Sequence, residues 1–324
     1  MRRAVPGDAI HIVDYRTLGH SGIRVSALSL GSWMTYESMA EPEARAVLTA
    51  GLDAGITFLD DARYDDRTGT LPMKTGYSEV LFGRMLRDTR HPRAGLVIAN
   101  KLWFEFFPHE SIEAELDGSL ARLQMDYLDI EFCAGPPPGL PMLDLVRELD
   151  RLVASGKLRA WGVLNWPVEM IEEAVQVAAV NGLRRPTAAQ LAYSVLTRSP
   201  VEDPRMEAVC DNAGIGVVAS YSLNGGLLSG KYRGADGAPG GRLADQLESP
   251  RVRPLLPKID PFLEIAREAG CSPSQLALAY CLKNPRVSSL LFGARSPAQV
   301  RDNAGALAVV PQLTGAVVAA LRNL

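Results

Sequence analysis

The chain has 324 residues, 47% hydrophobic and 22% charged, which leaves ample apolar surface for a full globular core. A formal net charge of −3, with the basic residues dispersed, gives no reason to expect nucleic acid or an anionic membrane as partner, and no apolar run is long enough to span a bilayer. The four cysteines (Cys133, Cys210, Cys271, Cys281) lack paired spacing and read as reduced, mostly buried thiols of a cytoplasmic protein, while four scattered histidines argue against a metal cluster.

Residues 1–14 read as an extension, with too little charge in Arg2-Arg3 for a targeting signal. Asp14–Leu18 and Gly22–Val25 flank His20-Ser21 as a short hairpin suited to plugging the floor of a barrel. Eight strand-like runs follow: Ala27–Leu30, Thr57–Asp60, Leu96–Asn100, Tyr127–Phe132, Arg159–Val163, Ala188–Leu191, Gly216–Ser220 and Ser289–Phe292. Amphipathic stretches lie between them, among them Glu41–Ala54, Ser111–Leu123, Met142–Ser155, Val168–Asn181 and Pro204–Asn212. Capping chemistry opens Ser111-Ile112-Glu113-Ala114, and also Ser272-Pro273-Ser274-Gln275 ahead of Leu276–Lys283. Eight strands alternating with helices predict a closed parallel (β/α)8 barrel, and no GxGxxG follows the first strand to favour an open dinucleotide fold. With no compositional break, residues 15–324 are expected to form one domain. Two long polar connections, Asp65–Gly76 and Arg233–Pro257, fall on the side where strands end and barrel active sites are built.

Asp60 closes the second barrel strand, Tyr64 follows four residues later, and Lys101 closes the third run. Each has an ordinary use alone: a helix cap, a half-buried aromatic, a surface amine. At the ends of adjacent strands an acid, a phenol and an amine make a proton-donating device, in which the ammonium makes the tyrosine a better acid. The fourth strand runs into Cys133-Ala134-Gly135, so the place for a second polar donor holds a methyl group. Trp33, Trp103, Phe104 and Trp166 sit at strand ends in a chain with few aromatics and are expected to wall an apolar pocket around Ala134, suited to a flat or aromatic substrate.

An ordered series of motifs resembles the aldo-keto reductases, closest to the branch containing the voltage-gated potassium channel β subunits, from Tyr15 to the C-terminus. It comprises Leu28-Ser29-Leu30-Gly31-Ser32-Trp33, Asp60-Asp61-Ala62, Asn100-Lys101 and Leu120-Ala121-Arg122-Leu123 before Tyr127-Leu128-Asp129. Further on come Trp161-Gly162-Val163-Leu164-Asn165-Trp166, Gln190-Leu191-Ala192-Tyr193 and Gly226-Leu227-Leu228-Ser229-Gly230-Lys231-Tyr232. Gln275–Leu282 and Gly293-Ala294-Arg295 with Gln299 and Asn303 complete it.

The resemblance implies an NADPH-dependent oxidoreductase that passes hydride to a carbonyl or an imine, with Asp60 and Lys101 supporting Tyr64 as proton donor. The family's tyrosine lies five residues after the aspartate rather than four, and Tyr77 is the competing candidate. Ala134 stands where relatives carry His or Asn; His109 in the Trp103–His109 loop is considered as a replacement donor. Implied cofactor contacts are Gly31, Ser32, Trp33, Asn165, Gln190, Leu223, Gly225, Lys231, Gly293, Gln299 and Asn303, with Arg242 and Arg295 placed for a 2′-phosphate. Tyr221 resembles the aromatic that stacks on the nicotinamide, although a gapless alignment puts Ser220 there, and Leu164 replaces a family serine. The alternative is an NADPH-binding regulatory subunit with little turnover. The expected partner is a small apolar molecule, with self-association left open.

Overall fold

The computed structural model describes residues 13–233 and 241–324. Most of the expected extension 1–14, and residues 234–240 of the Arg233–Pro257 connection, lie outside the described residues. β1 (Tyr15–Thr17) and β2 (Arg24–Ser26) pair antiparallel. The next eight strands are β3 (Leu28–Gly31), β4 (Phe58–Asp60), β5 (Val97–Leu102), β6 (Leu128–Cys133), β7 (Leu158–Leu164), β8 (Ala188–Ala192), β9 (Gly216–Ser220) and β10 (Val287–Phe292). Each pairs in parallel with the next, and β10 closes onto β3, so the sheet has no edge. All eight expected runs are strands.

Helices α1 (Glu41–Asp53), α2 (Tyr77–Arg87), α3 (Ile112–Leu123), α4 (Met142–Ala154) and α5 (Val168–Asn181) follow β3 to β7 in turn. After β8 come α6 (Ser199–Glu202) and α7 (Pro204–Ala213), and after β9 come α8 (Ile259–Glu268) and α9 (Pro273–Leu282). α10 (Pro297–Ala304), α11 (Ala306–Val309) and α12 (Gly315–Arg322) end the chain. Both capping signals operate. Ser111 Oγ accepts from Ala114 N at 3.1 Å, and Ser272 and Gln275 exchange bonds reciprocally, satisfying amides the first helical turn leaves free. Among the described residues no single helix is long and apolar enough to cross a membrane.

The two-residue period of a strand decides what lies where. Phe58, Ala99, Phe132 and Ala188 point into the barrel and form its inner apolar cluster. Leu18, Ile23 and Val25 from the β1–β2 hairpin join that cluster from below, so the hairpin plugs the floor as expected. The fit there is close: a Cβ on Gly19, whose φ is +50°, would stand 2.2 Å from the Thr187 carbonyl. One inward step beyond the four cluster residues brings Asp60, Lys101, Ala134 and Gln190 to the carboxy-terminal mouth of the barrel.

Candidate active site

Asp60 and Lys101 form a buried ion pair across neighbouring strands, with side chains only 4% exposed. Register puts Asp60 beside Ala99 on β5, and the long lysine side chain bends back from two residues further on. Burial pushes the Asp60 carboxyl up from its ordinary value, while the Lys101 charge and the neighbouring Gln190 amide pull it down. The Lys101 ammonium also lies 5.2 Å from the centre of the Phe132 ring. A charge this desolvated is tolerated because it is paired and lies over an aromatic face.

Tyr64 stands four residues beyond Asp60 and is half-buried. Its ring packs at 6.4 Å from that of Trp103, tilted by 56°. Burial holds the phenol well above its ordinary pKa, reinforced by the negative charges of Asp60, Asp61 and Glu37, with the Ser32 hydroxyl acting the other way. The phenol is thus a weaker acid here, rather than the stronger one expected from the Lys101 ammonium, because burial and the neighbouring negative charges outweigh it. Tyr77 is the first residue of α2 and packs against the barrel–helix core.

Further buried polar side chains hold these segments. Asp61, fully buried, accepts from the hydroxyls of Ser32 and Ser78, the latter at 2.6 Å, tying the ends of β3 and β4 to α2. Burial, with the Glu79 charge beside it, raises Asp61 to about 7. Arg63 is 7% exposed and faces Glu105, Glu110 and Glu115 at 3.2, 3.9 and 3.4 Å. Glu115 in turn accepts the Trp103 and Phe104 amides at 2.8 and 3.1 Å. One arginine next to Tyr64 thus anchors the whole Trp103 loop. The signal in the sequence was a charged residue wedged between Asp61 and Tyr64.

The expected pocket residues divide. Trp33, 37% exposed, and Trp103, partly buried, are open on the mouth side, whereas Phe104 and Trp166 are 4% and 2% exposed and belong to the barrel–helix core. Ala134 is half-buried, its amide bonded to Leu102 O at 2.9 Å. His109 opens onto a surface groove with Arg63, Phe106 and Ser111, away from the ion pair.

On the far side of the mouth, the polar ends of β7 and β8 offer complementary groups. Asn165, at φ +51°, accepts from Ala192 N at 2.9 Å through its Oδ1, and its amide hydrogens have no partner among the described residues. Gln190, 1% exposed, presents a buried Oε1 with no hydrogen-bond partner among the described residues. A donor beside an acceptor is the complement of a primary carboxamide. At the end of β9 the inward register belongs to Ser220, two residues after Val218. The Tyr221 ring instead lies 5.2 Å from the Arg251 guanidinium, its hydroxyl beside Gly225. Leu223 opens the turn in which Gly225 and Gly226 take positive φ, and Lys231 folds back over it. Gly226, at φ +99°, suits glycine, and a Cβ there would lie 2.4 Å from Lys231 Cε and push the lysine aside.

Lys231, Arg242 and Arg295 converge. Burial and the charges of both arginines hold the Lys231 ammonium below its ordinary value. Arg242 donates to Trp33 O at 2.7 Å and packs 4.5 Å from the Trp33 ring, and Arg295 donates to Ser38 Oγ at 3.2 Å. Glu37 lies near Arg242 with a buried Oε2 that has no partner among the described residues, and burial pushes its carboxyl up. Gln299 accepts from Arg295 N at 2.8 Å, Gly293 approaches Thr35, and Asn303 is buried on α10. Gly31 packs against Leu291. These three cations take part in no ion pair among the described residues, an arrangement suited to an anion.

Residues 27–324 match the profile described as the Aldo/keto reductase family. A protein of Oryza sativa subsp. japonica named as a voltage-gated potassium channel subunit beta is 34% identical over 321 residues, covering 94% of this chain and 94% of its own. One of Schizosaccharomyces pombe with a corresponding name is 33% identical over 321 residues, covering 93% and 90%.

Proposed function

Because the chain belongs to the aldo/keto reductase family, we propose that it is an NADPH-dependent oxidoreductase that reduces a carbonyl or imine at the mouth of the barrel, with Tyr64 as proton donor. The observation that carries this is the buried Asp60–Lys101 pair beside a protonated phenol. The residues present also fit the cofactor. Asn165 and the unpartnered Gln190 oxygen complement a carboxamide, and Lys231, Arg242 and Arg295 are suited to its phosphates. Bound there, NADPH supplies the hydride.

The protein's own part is proton supply and positioning. Tyr64 donates its proton to the substrate oxygen or nitrogen as negative charge develops there. Lys101 then faces the tyrosinate with its ammonium, and Asp60 holds that ammonium in place and charged. Water returns a proton to Tyr64. Ala134 removes one hydrogen-bond donor from this scheme, a loss of the order of 100-fold or more in rate for a simple carbonyl. An imine, which arrives partly protonated, needs that donor less. The same methyl group favours a second reading, a cofactor-binding regulatory subunit with little turnover, in keeping with the names of the two relatives.

The test is NADPH consumption by the purified chain over a panel of aldehydes, ketones and cyclic imines, with Tyr64→Phe alongside. Turnover abolished by Tyr64→Phe at unchanged NADPH affinity is expected, because the phenol acts only in the transition state. Tight NADPH binding with negligible turnover across the panel would favour the regulatory subunit. A dead Tyr77→Phe beside a normal Tyr64→Phe would move the donor to Tyr77.

A further inference from the structure

The Asp65–Gly76 connection is a built element rooted at the proton donor. Gly76 N donates to Tyr64 O at 2.9 Å, Asp65 and Thr75 form an antiparallel bridge, and Asp66 N donates to Lys74 O at 2.8 Å. Its turn is held by the Asp66 carboxylate, which accepts from the amides of Thr68, Gly69 and Leu71 at 2.8, 3.0 and 3.0 Å. Arg67 rides on this turn, three residues after Tyr64, with its guanidinium 6.0 Å from the centre of the Trp33 ring. Among the described residues its one polar contact is a weak bond from Nη1 to Met34 Sδ at 3.8 Å, and it takes part in no ion pair.

A guanidinium lying over an indole spends its face on the ring and keeps its in-plane N–H groups free, in the fork that matches a carboxylate. The nearest acid in sequence, Asp66, is already engaged by three backbone amides. Trp33 carries a second guanidinium, Arg242, but that one belongs to the phosphate cluster. Arg67 is left for something else on the Tyr64 side, and the ordered turn lowers the entropy lost when it binds.

We propose that Arg67 is a specificity residue, selecting carbonyl or imine substrates that carry a carboxylate remote from the reacting carbon. This rests on the reductase reading above. The site then grips such a molecule at both ends: Tyr64 at the reacting group, Trp33 and Trp103 along an apolar middle, and Arg67 at the acid.

The experiment pairs 4-carboxybenzaldehyde with its methyl ester, which keeps the ring and aldehyde but removes the charge. The expected ratio of kcat/KM, acid over ester, is about tenfold to a hundredfold in the unaltered protein, the range a charge-assisted bidentate pair supplies. Arg67→Met should bring that ratio to about one through a higher KM for the acid, and Arg67→Lys should keep part of it. A ratio near one in the unaltered protein, or a ratio that Arg67→Met leaves intact, overturns the proposal. Should neither aldehyde be turned over, hydride transfer is what has failed. Arg67 is then judged by calorimetric binding of 4-(hydroxymethyl)benzoate to the NADPH-loaded protein against Arg67→Met. Binding of this acid, weakened at least tenfold in the variant, keeps the subsite, and equal binding removes it.

Discussion

Lys101→Met strips the Asp60 carboxylate of its counter-ion in a place where water cannot replace it, since both side chains are 4% exposed. Breaking a buried pair by deleting one partner typically costs about 3–5 kcal/mol, because the remaining charge is left uncompensated. Asp60 can lower this cost by taking up a proton. Burial already raises its pKa against the pull of Lys101, and without that pull it rises further. A carboxyl whose folded pKa is raised contributes stability below its unfolded value, near 3.9, and loses it as pH climbs toward the folded value. The deficit of Lys101→Met is therefore smallest in mildly acid solution and grows from about pH 4 upward. Urea unfolding followed by circular dichroism at pH 5 and pH 8 measures it, and Asp60→Asn combined with Lys101→Met should recover most of the loss. A deficit below about 1 kcal/mol at pH 8, the size of an exposed pair, and equal at pH 5, would refute the description of a desolvated pair.

Three other outcomes are expected. Ala134→His should raise kcat/KM with simple aldehydes by up to about 100-fold, by restoring a donor to the carbonyl oxygen; no gain for any aldehyde would mean that the missing donor does not limit the rate. Arg295→Ala should weaken NADPH far more than NADH in a fluorescence titration, and an equal loss for both would remove Arg295 from the 2′-phosphate. Glu131, with no exposed surface and neither oxygen partnered, has a carboxyl held well above its ordinary value chiefly by burial. Its contribution to stability should therefore fall as pH rises above about 4.5, by at most about 1.4 kcal/mol per pH unit for this one group, and Glu131→Gln should remove that share of the slope. Parallel slopes for the two proteins would show that Glu131 does not titrate in this range.

The barrel was legible because its strands are buried on both faces, which makes each a short unbroken apolar run, and the capping signals of α3 and α9 are chemically explicit. The Asp60–Lys101 pairing followed from their shared position at strand ends. What escaped depends on contacts made outside the strands. α2 and α8 adjoin long polar connections that masked their starts. Nothing in the sequence marked Glu79, Glu115 and Glu131 as buried, yet a parallel barrel covers its outer face with helices, so acids that meet this layer are enclosed. Phe104 and Trp166 share the strand-end position of Trp33 and Trp103 but turn into the core, a choice that packing makes and spacing cannot reveal.

The plugged floor turns the barrel into a blind alley. With Leu18, Ile23 and Val25 sealing one end, whatever reaches Asp60 must arrive and leave through the opposite mouth. On the proposed reading, cofactor and substrate share that doorway, and the groups suited to the nicotinamide, Gln190 among them, lie deeper than the Trp33 and Arg67 rim. The later arrival sits above the earlier one, so traffic must run in sequence, with the nucleotide first in and last out.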